Sequence, residues 1–308
     1  MRNTSFYCNL EIFFATDSKD IEMVFAQNKL FNKFAMATHY SLLVLIFLFC
    51  FLPGKVEAVE VLSGKAIQGG LLILQTKPGS DLTINGKKTM VSSQGLAVTG
   101  FHRDDTTTLT IKTKHPDGNV QKILLNPEIR IYQEQRIDGL PRKMVTPPDK
   151  VLDRIARDRK LVISARAHAS KISAFAGKFS WPIKGIITGV YGSKRILNGK
   201  PRAPHYGIDI AAPEGTPITA PQAGIVRMVS DLYFTGWTII LDHGHGVSST
   251  FLHLKNTTVS VGVSVKKGDI IGTVGSTGRS TGAHLDWRIN LFSKRLDPEL
   301  IAGPMPSR

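Results

Sequence analysis

The sequence predicts a mainly β protein. It consists of a small amino-terminal antiparallel β-sandwich-like domain, a connecting helix and a carboxy-terminal antiparallel β domain. Short apolar or alternating runs separated by Gly, Pro and Asn predict strands in residues 59–135 and 177–308, whereas helical spacing is confined to residues 136–176. With 308 residues and 42% hydrophobic side chains, the chain has room for about two domains and is too apolar to be wholly disordered.

Residues 1–58 are predicted to be a signal peptide with an upstream extension. The apolar run at residues 42–52 is shorter than the roughly 20 residues of a membrane-spanning helix, but typical of the core of a secretory signal. Val56-Glu57-Ala58 offers a cleavage site, and an uncleaved membrane anchor is the alternative. We therefore expect an exported protein, periplasmic or associated with the cell envelope, that meets the membrane only through this segment.

Charge and cysteine usage exclude several classes of protein. The chain carries 39 Lys and Arg against 24 Asp and Glu, a formal charge of +15, which favours binding to anionic polymers. No nucleic-acid motif accompanies this charge, so an envelope polymer is the expected partner rather than nucleic acid. Cys8 and Cys50 both lie in the predicted signal, which excludes a disulfide framework and a cysteine-rich zinc module.

Residues 59–135 contain short strands and no cluster of catalytic residue types. An apolar run at 71–76 is followed by two segments, 81–84 and 88–91, that flank Asn85-Gly86, a strong hairpin signal. Residues 107–112, in which apolar and polar side chains alternate, and residues 120–125 are further predicted strands. We expect a binding or spacer module here.

Residues 136–176 predict a basic amphipathic helix that links two domains. Thr146-Pro147-Pro148-Asp149 is typical of a helix start, and Leu152, Ile155 and Val162 follow helical spacing. The arginines and lysines between them predict a solvated face. Residues 177–308 return to β structure, with strands expected at 237–241 and 269–274 and no long helix.

Three segments of the last domain carry histidines and aspartates suited to metal chemistry. They contain His205 and Asp209, then His253, then His284 and Asp286. On a strand, positions i and i+2 point to the same face, so the last two can enter one pocket. A catalytic zinc site needs three protein ligands and an open position. No cysteine lies in this domain, which argues against a cysteine nucleophile.

The stretch from about Trp181 to Leu300 resembles the lysostaphin/LytM-type zinc metallopeptidases, which cut peptidoglycan. The resemblance rests on an ordered set of motifs: His205-x-x-x-Asp209, Asp242-His243-Gly244-x-Gly246, Phe251-Leu252-His253-Leu254 and Gly278-x-Ser280-Thr281-Gly282-x-His284-Leu285-Asp286. It implies a LytM-type antiparallel β domain in which His205 and Asp209 bind Zn2+. His253 and His284 would be the catalytic histidines that act on water and the transition state. We interpret His243 as part of a hydrogen-bonded turn.

Asp286 departs from the family pattern, because the resemblance implies a histidine as the third metal ligand at this position. A carboxylate can bind zinc, so Asp286 can complete the site. The expected function is then an exported zinc metalloendopeptidase that hydrolyses stem or cross-link peptide bonds of peptidoglycan. The alternative is a catalytically inactive peptidoglycan-binding regulator, or an activator of a cell-wall amidase, that acts on other envelope hydrolases.

Overall fold

The computed structural model describes residues 59–306, and strands dominate this part of the chain, which confirms the predicted mainly β fold. Its helices are α1 (Arg142–Val145), α2 (Leu152–Ala167) and α3 (Pro298–Ala302), with 3-10 turns at Asp149–Val151 and Ala174–Ala176. The predicted signal of residues 1–58 lies outside the described residues. None of the helices within 59–306 has the length and apolar character needed to cross a membrane.

The first seven strands form two antiparallel sheets. These strands are β1 (Glu60–Ser63), β2 (Leu71–Gln75), β3 (Asp81–Ile84), β4 (Lys87–Thr89), β5 (Leu96–Gly100), β6 (Leu109–Lys114) and β7 (Val120–Leu125). One sheet has the order β1-β2-β5 and the other β4-β3-β6-β7. The hairpin predicted at Asn85-Gly86 joins β3 to β4, and both turn residues have positive φ, as a tight hairpin turn requires.

The β1-β2-β5 sheet contributes buried residues from both of its faces. Leu74 and Ala97 pack with Leu82 and Ile111 of the second sheet. On the opposite face of the sheet, Leu71, Ile73 and Val98 belong to the large core of the carboxy-terminal half. The amino-terminal strands therefore share buried apolar surface with the site-bearing half, and a division near residue 135 stays a prediction.

Strand β8 (Glu134–Ile137) crosses that predicted boundary. It pairs in parallel with β10 (Lys194–Leu197), which in turn pairs with β11 (Lys200–Arg202) in a three-stranded sheet. Residues 134 and 135, assigned from the sequence to the amino-terminal domain, thus hydrogen-bond to the carboxy-terminal half. The sequence did not predict this contact, because the periodicity of a strand does not specify which distant strand it pairs with.

Residues 186–296 form a ten-stranded sheet that carries the candidate site. Its central order is β17-β14-β15-β16-β19-β12-β9, with β13, β18 and β20 attached. The strands are β9 (Ile186–Gly189), β12 (Ile208–Ala211), β13 (Pro217–Thr219), β14 (Gly224–Leu232), β15 (Gly236–Gly244), β16 (Val247–Thr257), β17 (Ser264–Val265), β18 (Ile270–Val274), β19 (His284–Leu291) and β20 (Lys294–Leu296). The strands expected at 237–241 and 269–274 correspond to β15 and β18.

Alternation along β19 separates the core from the site. Leu285, Trp287 and Ile289 are buried in the large core, where Trp287 meets Trp181 edge to face. His284 and Asp286, which alternate with these residues along the strand, point to the other face because side chains on a strand alternate. One strand thus supplies both hydrophobic stabilisation and site chemistry.

Helix α2 lies where the sequence predicts it and packs on the sheet. Val162 and Ala165 contact the cluster of Met228, Leu232 and Ile240 on β14 and β15. The helical turns before Leu152 are 3-10, starting after Pro148. Basic residues in the first half of the helix are exposed as expected, whereas Arg166 near its end is buried.

Candidate metal centre

The three residues predicted to bind metal lie together on two neighbouring strands. Asp209 on β12 stands directly opposite Asp286 on β19 in the antiparallel register, and His205 precedes β12. One ligand atom from each of the three lies within 4.8 Å of the others. All three side chains are buried. The fold therefore brings Asp286 next to His205 and Asp209, although it follows Asp209 by 77 residues in the chain.

Unsatisfied polar atoms show that this cluster fits a cation. Both ring nitrogens of His205 and Oδ1 of Asp209 are buried without a hydrogen-bond partner. His205 Nε2 lies 3.1 Å from Asp209 Oδ1, yet the two atoms do not form a hydrogen bond. Buried polar atoms are rarely left without partners, and imidazole and carboxylate are zinc ligands. The donor set of His205, Asp209 and Asp286 thus suits a divalent metal.

Two arginines compensate the charges of the two carboxylates. Arg195 Nη2 donates to Asp209 Oδ2 at 2.6 Å, while Arg288 donates from Nε to Asp286 Oδ1 at 2.9 Å and from Nη2 to Oδ2 at 2.5 Å. Asp209 Oδ1 stays available to a metal, whereas both oxygens of Asp286 already accept hydrogen bonds. The two carboxylates and two guanidiniums sum to zero charge.

The same contacts hold both carboxylates ionised. Burial opposes ionisation of Asp286, but Arg288 and His205 hold its pKa well below the ordinary value. Burial and the neighbouring Asp286 raise the pKa of Asp209, but His205 and Arg195 outweigh them and lower it. Both groups are therefore anionic, as metal ligation requires.

Two glycines leave room for these carboxylates. A Cβ added at Gly207 would lie 2.4 Å from Asp286 Oδ1, and one added at Gly189 would lie 2.4 Å from Asp209 Oδ2. Any larger residue at either position would displace a carboxylate. Backbone thus approaches both acids closely enough to fix where their oxygens lie.

The two predicted catalytic histidines lie next to each other near the acids, and their hydrogen bonds define their tautomers. His253 Nδ1 donates to the carbonyl of Thr277 at 2.7 Å, and His284 Nδ1 donates to the carbonyl of Gly282 at 2.8 Å. Each ring therefore keeps Nε2 as an acceptor. His284 Nε2 lies 3.9 Å from Asp209 Oδ1, and the two imidazole centres are 4.8 Å apart.

His253 is further distinguished by its backbone and by its pKa. Its φ of 64° is in the left-handed region, which costs a non-glycine residue energy and is common at functional sites. Burial lowers the pKa of His253 to about 4, so the ring is neutral at neutral pH and able to accept a proton.

The sequence motifs predicted the histidines and aspartates of this cluster. They did not predict the residues that position the aspartates: Arg195, Arg288, Gly189 and Gly207. Arg288 follows Asp286 by two residues on β19, so strand alternation could have predicted that the two side chains share a face. His243 is hydrogen-bonded to the carbonyl of Ala223 and to the Ser249 hydroxyl, as the turn interpretation expects.

Known proteins resemble the half of the chain that carries this site. Residues 203–298 match the model of Peptidase family M23. The peptidoglycan DD-endopeptidase ShyA of Vibrio cholerae is 38% identical over 105 residues, which cover 34% of this chain and 24% of that protein. The chain spans about a quarter of the length of the curated relatives it matches.

Two solved structures are also similar to this chain. The catalytic domain of lysostaphin from Staphylococcus simulans is 31% identical, with 39% of this chain and 93% of that one covered and a TM-score of 0.36. A peptidase M23 structure from Pseudomonas aeruginosa is 27% identical with a TM-score of 0.60, and covers 79% of this chain and 96% of the other. That fold thus includes most of the amino-terminal strands as well.

Proposed function

We propose that the chain is a zinc metalloendopeptidase that hydrolyses peptide bonds of peptidoglycan, because residues 203–298 match the model of Peptidase family M23. The observation that carries this proposal is the buried cluster of His205, Asp209 and Asp286, in which the ring nitrogens of His205 and Oδ1 of Asp209 have no hydrogen-bond partner. Two histidines of fixed tautomer lie near it. The peptidoglycan substrate is supported by the similarity to ShyA. Action in the periplasm or envelope follows from that substrate.

His205, Asp209 and Asp286 would hold the metal, which when bound supplies Lewis-acid polarisation of the scissile carbonyl. His253, neutral and with Nε2 unprotonated, accepts the proton of the attacking water. His284 presents Nε2 beside Asp209 and, on gaining a proton, donates a hydrogen bond to the oxygen that develops negative charge. Arg195 and Arg288 orient the two carboxylates.

Mass spectrometry of muropeptides after incubation of purified peptidoglycan with the full chain tests this function. We expect loss of cross-linked muropeptides that a zinc chelator prevents. His284→Ala should lower the rate by about 10²–10⁴-fold, the usual contribution of a positioned acid or base. His168→Ala, which changes an exposed histidine outside the site, is the matched control. A His284→Ala protein as active as its parent would contradict the proposal.

A regulator without turnover is the second candidate, and the pairing of both Asp286 oxygens with Arg288 favours it. If the guanidinium takes the place of a metal, the parent should leave muropeptides unchanged and bind peptidoglycan. Asp286→His would then create chelator-sensitive cleavage. An active parent that loses zinc and activity on Asp286→Ala would instead support Asp286 as a ligand.

A further inference from the structure

A cavity of about 730 Å³ lies between helix α2 and the sheet. Its walls are mainly apolar. Ile155 and Val162 come from α2, Leu232 and Leu252 from the strands, and Phe234 from the β14–β15 loop. A volume of this size falls within the range of small-molecule pockets, roughly 300–1,000 Å³. Neither the proposed metal ligands nor the two catalytic histidines line it.

Four arginines also line this apolar cavity: the exposed Arg159 and the buried Arg166 of α2, Arg288 of β19 and Arg295 of β20. Only Arg288 has a carboxylate partner, Asp286; within residues 59–306 neither Arg166 nor Arg295 forms an ion pair. The acid in the lining, Asp158, accepts a hydrogen bond from the Tyr233 backbone and lies near Arg154. The cavity thus carries cationic charge that this part of the chain does not compensate.

Arg166 makes this excess charge costly. The residue is only 8% exposed, its Nη2 donates to the Thr250 hydroxyl at 3.0 Å, and its Nε has no partner. Nη1 of Arg295 is likewise buried without a partner. Burial and the neighbouring arginines lower the pKa of Arg166 well below its ordinary value. Buried charges in proteins are normally paired, so an anion from outside these residues would relieve the cost.

We propose that the cavity binds a single-chain amphiphile with an anionic head group. The head lies between Arg166 and Arg295, and the chain lies along the apolar wall formed by α2 and the strands. Ile163 and Phe292, which are 57% and 43% exposed, line the same cavity and give the ligand a way in. This site does not depend on the proposed peptidase activity.

The hydrogen-bonding state of the walls favours an acyl chain over a peptide. The Thr238 hydroxyl donates to the carbonyl of Gly236 and is hydrogen-bonded to the Thr235 hydroxyl. The Thr250 hydroxyl accepts a hydrogen bond from Arg166. A buried peptide would need partners for each of its amide groups, whereas a hydrocarbon chain needs none. The buried side-chain atoms of the lining that lack a partner are guanidinium nitrogens of Arg166 and Arg295, which suit an anionic head group.

Isothermal titration calorimetry of the full chain with dodecanoate, below its micelle concentration, tests the proposal. We expect binding at one site, with uncharged dodecanol at least about tenfold weaker, since one charge-assisted hydrogen bond is worth about that factor. Equal affinities for the two probes, or no binding of dodecanoate, would overturn it. So would tighter binding of an acetylated leucine tripeptide with a free carboxylate, which would assign the cavity to peptides.

Arg166→Met removes the buried charge while keeping a long apolar side chain. We expect it to bind dodecanoate about tenfold more weakly and to bind dodecanol as its parent does. The matched control is Arg157→Met, an exposed arginine of the same helix. If Arg166→Met does not fold, as judged by circular dichroism, Arg295→Met gives the same comparison. Retention of full dodecanoate affinity by the folded variant would refute the assignment.

Discussion

Arginines occur in two adjoining regions of the site-bearing half, and the regions differ in what balances their charge. In the paired region, Arg195 and Arg288 each hold one aspartate of the candidate metal centre. In the unpaired region, Arg166 and Arg295 line a cavity and have no carboxylate partner among the described residues.

The difference teaches that buried charge serves two ends in one fold. Paired arginines fix the position of ligand atoms and keep the carboxylates ionised, so they belong to the architecture of the site. Unpaired arginines leave an electrostatic cost that a bound anion can relieve. The charges of the first arrangement balance among these side chains, whereas a bound anion would balance those of the second.

Removing the acid of a pair should have the largest effect on stability. Asp286→Asn leaves Arg288 beside a neutral amide, and breaking a buried pair costs about 3–5 kcal/mol of the free energy of unfolding. Urea unfolding in the presence of a chelator measures this loss without any contribution from bound metal.

The control for this variant is Asp81→Asn, which breaks the exposed pair of Asp81 with Lys88. Its free energy of unfolding should equal that of the parent, because exposed ion pairs contribute little. If Asp286→Asn were as stable as Asp81→Asn, the paired region would not be a stabilising arrangement.

Mild acid should destabilise the protein without disturbing the paired region. The carboxylate pKa values there lie below their ordinary values, so their contribution is complete above about pH 3.8 and is lost only below it. His243 behaves differently, because burial lowers its pKa to about 4 from an ordinary 6.5. Its neutral form is favoured in the folded state, so the unfolded chain binds more protons between these values and stability falls as pH falls.

For His243 alone, this loss amounts to about 3 kcal/mol between pH 6.5 and pH 4. His243→Gln should flatten the pH dependence of the free energy of unfolding across this window, as followed by urea titration at several pH values. An unchanged slope would show that other groups cause the acid sensitivity.

Removing an arginine that has no carboxylate partner should raise the free energy of unfolding, by less than Asp286→Asn lowers it. Arg166→Met replaces a buried, uncompensated charge by an apolar side chain, and we expect a gain of about 1 kcal/mol in the free energy of unfolding. Thermal unfolding in lipid-free buffer measures it, with Arg157→Met expected to match the parent. A loss of stability in Arg166→Met would mean that its hydrogen bond to Thr250 outweighs the desolvation of the charge.

Local sequence patterns predicted the strands and the candidate site because both depend on short-range rules. His284 and Asp286 share a face through strand periodicity, and the Asn85-Gly86 turn sets its own hairpin. The pairing of Asp209 with Arg195 was not predictable in this way. It depends on β10, whose parallel partner β8 is about 60 residues earlier in the chain, and no local pattern specifies such a contact.

The burial of Arg166 was not predicted for a related reason. Arginines at helical spacing normally lie on the solvated face, as Arg154 and Arg157 do. Ala165, the residue before Arg166, packs against Met228 and Leu232 of the sheet, so this turn of α2 faces inward. Packing between distant segments, rather than composition, therefore places this charge inside.

The neutral balance of two aspartates and two arginines also bears on the order in which the protein matures. Many small metalloproteins fold only when the metal arrives, because the unfolded chain has no preformed site and the free energy of metal binding drives folding. Here the guanidiniums of Arg195 and Arg288 already hold the acids together. We therefore expect the chain to fold without a metal, and to be able to bind one at the candidate centre afterwards.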